Sequence, residues 1–285
     1  MAIKFRNPPV IYAVAKLIFS EAIASYPKER YEKLLISIEK LGFDSYIISK
    51  ITGIQFKQAD NNFSVAPTTA ERIGYFNANR TKCAIIDENS VELRLTDYSN
   101  HTEFLNTISE IMETLKKHEI TIANRLKEIE LHYVDLFVPK GFPLQNMFNG
   151  ITLPNNQFYS EEGDKLQVGA IHFTRVLSSA REKVSVTLEQ LKSLDPTQRK
   201  QIPDSLVEPD RKLAMPINTE RLFAGSSSGE YALVHTHCGA LTEETEISSD
   251  LIRKKFEVMY QESRKTFDAM VRLEVCSDVW TQVEF

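Results

Sequence analysis

Cysteine is scarce in this chain. Cys83, Cys238 and Cys276 are the only three, they lie far apart, and no CxxC pair exists. An odd, dispersed set gives no disulfide framework and fits a reducing compartment, so a cytoplasmic location is expected. Long hydrophobic runs are missing as well. The apolar stretch Val10–Phe19 is short and interrupted by Lys16, so it cannot span a bilayer. It lacks a small-residue cleavage site and reads as a first strand, not a signal peptide. Neither sign of charge dominates: a formal net charge of −5 offers no electrostatic case for binding nucleic-acid phosphates. The basic residues Arg175, Arg181, Lys183 and Lys192 are interleaved with Glu182 and Glu189, as on a salt-laced surface.

Catalytic signatures are absent too. The chain has no GxxxxGK[ST] phosphate loop, no GxGxxG turn and no GxSxG nucleophile elbow. Gly225–Gly229 is a serine-bearing tip with no lysine and no strand-to-helix setting. Cys83 falls in an apolar strand-like run and Cys276 follows the last helix, so both read as packed thiols. The balance leans away from an enzyme, and no cofactor is expected.

What is present is a strong alternation of strand and helix periods, in a composition of 42% hydrophobic and 26% charged residues that is near the average for globular chains. Asn100 is an N-cap with Glu103 three residues on, and Phe104, Leu105, Ile108, Ile111, Met112 and Leu115 recur at helical spacing behind it. β-formers fill Ile129–Phe137 before Pro139 and Gly141 stop the run. Upstream, Tyr31, Leu34, Leu35, Ile38 and Leu41 form a helix face that Gly42 can terminate. Tyr46–Phe56 reads as a strand with Gly53 as a possible bulge, and Lys57–Thr69 as irregular. Downstream, Lys165–Leu177, Lys183–Leu188 and Glu230–Cys238 read as strands. Leu194–Pro216, with four prolines and many charges, reads as a mobile or partner-facing excursion. Ser248 or Ser249 caps a final helix whose face carries Ile252, Phe256, Met259, Tyr260, Phe267 and Met270, and the only tryptophan, Trp280, follows.

These signals predict an α+β protein of two halves, 1–139 and 165–285. Each half is a mainly antiparallel sheet covered by helices, and 140–164 is a connecting segment. Phe142, Phe148, Phe158 and Tyr159 in the connection would plug the seam between the halves or form a contact surface.

The sharpest polar motif is His235-Thr236-His237. Residues two apart share a strand face, so the two imidazoles could meet one metal ion, with His172 from a neighbouring strand as a third ligand. No second Cys/His cluster stands at ligand spacing, so the simpler reading is a pair of half-exposed strand histidines without a structural metal. Glu243, Glu244 and Glu246 read as a solvated turn before the last helix.

Four stretches carry a resemblance. They are the Pro-Pro start at Asn7–Val10, the unit of Val91–Leu95, Asn100, Phe104 and LHYVDLFVP, the strand YALVHTH, and the closing helix with Phe256 and Phe267 before Trp280. In these the chain resembles an uncharacterised bacterial protein family of similar length, sporadically distributed among genomes. His132 stands where that family tends to have arginine, and His235 and His237 where it often carries aspartates. The resemblance implies no known activity. It implies a cytosolic accessory component, in a bacterial defence or mobile-element module. The expectation is therefore a non-enzymatic interaction or sensor protein, with a protein partner or self-association and no contact with a membrane. The alternatives are a metal-dependent enzyme using His235 and His237, and a small-ligand binder with its pocket between the halves.

Overall fold

The computed structural model describes residues 4–5, 8–21, 23, 28–59, 62–120, 125–150, 153, 166–177, 181–242, 248–280 and 282–283. In chain order the strands are β1 (Lys4–Phe5), β2 (Val10–Phe19), β3 (Ser45–Ala59), β4 (Asn62–Phe76), β5 (Lys82–Ile86), β6 (Ser90–Leu95), β7 (Leu126–Phe137), β8 (Leu166–Val176), β9 (Glu182–Ser193), β10 (Glu230–Leu241) and β11 (Gln282–Val283). The helices are α1 (Lys28–Ile38), α2 (His101–Lys117), α3 (Glu220–Phe223), α4 (Ser249–Met270) and α5 (Leu273–Trp280). β1 pairs with β11, and the other nine strands form one antiparallel sheet in the order β3-β4-β5-β6-β2-β7-β10-β9-β8.

The architecture is α+β, as the periodicities predict. A separate sheet for each half was expected, but one continuous sheet is found. β7, from the stretch 1–139, pairs with β10, from 165–285, all the way from Phe137↔Ala232 to Glu128↔Leu241. Both strands are apolar on one side along most of their length, so each has a neighbour to gain on either flank, and pairing them removes two exposed edges. Among the described residues no helix is long and apolar enough to cross a membrane.

One face of the sheet carries helices α1, α2, α4 and α5. Asn100 caps α2 by accepting from the Glu103 amide, and Ser248 caps α4 by accepting from the Leu251 amide. Gly42 takes φ +83° just after the 3-10 turn that follows α1, the left-handed stop expected of it. α4 lies across β7 and β10 and packs on α2. Its Ile252 and Phe256 are fully buried in the same core as Phe104, Ile108, Leu131 and Tyr133. The tail beyond α4 is a second helix, α5, and Trp280 at its end is buried against Phe137 and Phe267. Leu144–Met147, in the connection, forms a 3-10 turn, and Phe148 packs in this second cluster beside Phe137. Phe148 and the partly buried Phe142 thus belong to this cluster; Phe158 and Tyr159 lie outside the described residues.

Two local expectations are corrected. Gly53 makes no bulge, since β3 and β4 pair in unbroken register from Ser45↔Phe76 to Ala59↔Asn62. Lys57–Thr69 is accordingly strand in its described part; Phe63, Val65, Thr68 and Thr69 suit a strand even though the segment's polarity reads as loop.

The excursion after β9 does not project away from the sheet. It crosses the face opposite the helices, and Leu213 is fully buried against Phe76, Cys83 and Ile85. Ile202, Leu206, Met215 and Ile217 pack over Tyr12, Val14, Val134 and Leu136. Charge completes the anchorage. The Glu208 carboxylate accepts from Arg72 at 2.6 Å and from Arg94 at 2.7 Å, and the Arg80 guanidinium donates to the carbonyls of Lys212 and Ala214. Composition predicts exposure here, but an arginine pair buried on the sheet needs an acid, and Glu208 supplies it.

Candidate functional site

β7 and β10 cross the centre of the face opposite the helices. Alternation puts Glu130, His132 and Val134 of β7 on that face, with His235 and His237 of β10 beside them. The register sets His237 directly opposite His132, His235 opposite Val134, and Gly239 opposite Glu130. Lys16 of β2 lies on the other side of Glu130. Lys16 is taken up by Glu92 at 2.9 Å, and Glu92 also accepts from the Arg94 side chain.

One donor atom from each of Glu130, His132 and His237 lies within 4.8 Å of the others. His132 Nε2 is 3.7 Å from Glu130 Oε2, and His237 Nε2 is 3.6 Å from Glu130 Oε1. Both separations are too long for good hydrogen bonds. They are close to the spacing of neighbouring ligand atoms about one ion bound at roughly 2.0–2.2 Å. The His237 Nε2 atom is buried with no hydrogen-bond partner. The imidazoles of His132 and His237 stack with centroids 4.3 Å apart and planes 5° apart.

A second contact touches His132 from behind. Its Nδ1 lies 3.1 Å from His235 Nε2. With Nδ1–H donating to His235, the Nε2 lone pair of His132 is left facing Glu130 and His237. Protonation favours this arrangement. His235 is pushed down to about 3, first by burial and then by the charges of His132 and His237. His132 is also pushed down, first by burial. Burial works against ionisation of Glu130, but the charge that His132 and His237 carry when protonated outweighs it and holds the carboxyl well below its ordinary range. These shifts favour a carboxylate at Glu130 and neutral imidazoles at His132 and His235, and a carboxylate with a neutral imidazole is what binds metal.

Of the histidines singled out from sequence, His237 belongs to this cluster and His235 stands behind it, touching His132. His172 is not in it: it lies on the edge strand β8 and bonds with Thr187 and Thr174, both at 2.9 Å. No second Cys/His cluster stands at ligand spacing in the sequence; what meets His237 is Glu130-x-His132, with the same spacing, from the adjacent strand. Glu243, Glu244 and Glu246 lie outside the described residues. Cys83, Cys238 and Cys276 are buried free thiols, and burial pushes each up to about 12. Such thiols are poor nucleophiles at neutral pH.

The remaining concavities are less chemical. Grooves of about 320 and 440 Å³ flank α4, the first under Val258 and Met259, the second between Phe173, Val186 and Met270. In comparisons with known proteins, the chain matches no family model and no curated protein.

Proposed function

We propose that this protein binds a divalent first-row transition ion, of the zinc or iron(II) class, through Glu130, His132 and His237. The observation that carries the reading is the buried, unpartnered His237 Nε2 facing a carboxylate at 3.6 Å, too far for a good hydrogen bond. Leaving such a nitrogen unsatisfied costs about 1–3 kcal/mol. A bound ion removes that cost, and two imidazoles with one carboxylate are a donor set of this class. Loading requires the stacked rings to splay slightly, so that both Nε2 lone pairs converge. Three protein donors are fewer than a closed structural site uses, which favours the metal-dependent enzyme reading over a purely stabilising ion.

The test is direct. Protein stripped with chelator and titrated with Zn²⁺ by calorimetry is expected to bind one ion per chain. His237→Ala and Glu130→Gln are each expected to weaken binding by more than about tenfold, by analogy with the cost of losing a partner that organises a site. Wild-type protein that takes up no stoichiometric Zn²⁺, Co²⁺ or Fe²⁺ sinks the reading.

The interaction-protein reading, with self-association or a protein partner, has one observation of its own. β8 is an edge strand on which Leu166, Val168, Phe173 and Val176 are about half exposed or more, and it carries no lysine or proline of the kind that usually blunts an edge. Light scattering over a range of protein concentrations, for wild type and Val168→Lys, tests it: a mass that stays monomeric throughout removes the self-association form. An accessory role in a bacterial defence or mobile-element module remains attached to this second reading.

A further inference from the structure

We propose that the ion held by Glu130, His132 and His237 completes its coordination with an exogenous oxyanion, a carboxylate or phosphate group, approaching over Gly239 beside Lys183. This deepens the metal-binding reading and rests on it. The three protein donors all rise from the sheet floor. On one side the face is walled by the packed excursion, whose Ile202, Leu206, Met215 and Ile217 cover Tyr12, Val14 and Val134. An approach runs the other way along β10, towards Gly239.

Gly239 is paired on both sides, with Glu130 of β7 and Lys183 of β9, in the body of a strand. Its φ is not positive, so backbone conformation does not require glycine, and glycine in a strand interior weakens it. What glycine provides is clearance. A Cβ at this position would stand 3.5 Å from His237 Nε2, 3.2 Å from Lys183 Cε and 3.6 Å from Glu128 Oε1. Only the Lys183 contact is tight; against the nitrogen the added methyl would stand in ordinary contact, on the side from which a further ligand can reach the ion.

The charges at this mouth fit an anion. A divalent ion with one carboxylate ligand retains one positive charge. Lys183, the exposed cross-strand neighbour of Gly239, has no ion pair among the described residues, whereas Lys16 on the other side of the cluster is committed to Glu92. A lysine at the rim and an under-coordinated cation together recognise a small oxyanion. The rival for the same position is Glu128, which would close the shell from within. Its carboxylate, however, falls outside the three-residue group whose donor atoms lie within 4.8 Å of one another.

Full-length protein loaded with Co²⁺, whose visible spectrum reports coordination number, is titrated separately with acetate and with inorganic phosphate. A saturable spectral change is expected with one or both, and the tighter of the two identifies the natural group. Lys183→Ala should weaken that anion by about tenfold, the scale of one lost charge-assisted contact, while the Co²⁺ spectrum persists. Gly239→Ala should suppress the response. A Co²⁺ spectrum indifferent to both anions overturns the proposal, as does a spectrum that Glu128→Gln alters as strongly as Glu130→Gln, since Glu128 would then be the fourth ligand. Failure to bind Co²⁺ at all instead removes the metal-binding reading beneath it.

Discussion

His132 and His235 touch through Nδ1 and Nε2 at 3.1 Å, inside a sheet face on which only one of them reaches Glu130. This is an arrangement by which an outer imidazole can orient a ligating one: with Nδ1–H of His132 donating to His235, its Nε2 offers the lone pair. Replacing His235 by leucine should therefore weaken metal binding by about 10–100-fold, the usual effect of losing such a partner. His235→Gln, whose side-chain oxygen can still accept, should recover much of that loss. Competition with a chromophoric chelator measures both variants. Equal affinity in the leucine and glutamine variants would show that His235 only fills space.

Asp135 sits on the helix-bearing face, between the core of Tyr133 and that of Phe137, at 2% exposure, and its Oδ1 has no hydrogen-bond partner. Burial raises it from 3.8 to about 7, with Arg264 opposing only in part. A carboxyl whose folded value lies above its unfolded value favours folding fully only below the unfolded value. That contribution fades as pH rises from about 4 and is gone above about 7. Asp135→Asn should therefore be more stable than wild type at pH 8, by up to about 4 kcal/mol, with the advantage shrinking towards pH 4. Urea unfolding at the two pH values checks the sign. A variant less stable than wild type at pH 8 would mean the ionised carboxylate has a partner that stabilises it.

The excursion across the sheet is held by Leu213 and Glu208. Leu213→Ala should cost about 2–5 kcal/mol, as for other fully buried leucines. Glu208→Ala leaves Arg72 and Arg94 without their shared carboxylate and should cost a comparable 3–5 kcal/mol or so. In both variants limited proteolysis at residues between 194 and 219 should become faster than in the wild-type protein, where these contacts anchor the segment. Wild-type protein cut there as fast as the variants would contradict the anchorage.

Phe256 is fully buried beneath α4, where the helix meets the sheet and α2. Phe256→Ala should cost about 3–5 kcal/mol, a large share of a typical margin of about 5–15 kcal/mol. The exposed Lys254→Ala should be nearly silent in the same thermal melts. An unchanged melting temperature for Phe256→Ala would place α4 off the sheet.

Most of the strands, the helices α1, α2 and α4, and the caps Asn100 and Ser248 were legible in the letters, because each is a local pattern with a period of its own; the polar start of β4 and the helix α5 were not. The shared face of His235 and His237 was legible too, since it follows from strand alternation alone. Glu130-x-His132 has the same spacing and could have been read the same way. Its meaning was hidden because nothing local says that β7 lies beside β10, with residues 132 and 237 opposite each other; that depends on pairing across about a hundred residues of chain. The anchorage of the excursion was hidden for a related reason. Proline and charge predict exposure only when no partner awaits, and Arg72 and Arg94, distant in sequence, were waiting for Glu208. The sequence by itself thus determined the α+β class, most of the secondary elements and one half of the histidine cluster, through short-range periodicity and capping chemistry. Tertiary structure alone decided that there is one sheet, that its second face is partly covered, and that a carboxylate and three imidazoles converge beside a glycine, because each of those depends on register between strands far apart in the chain.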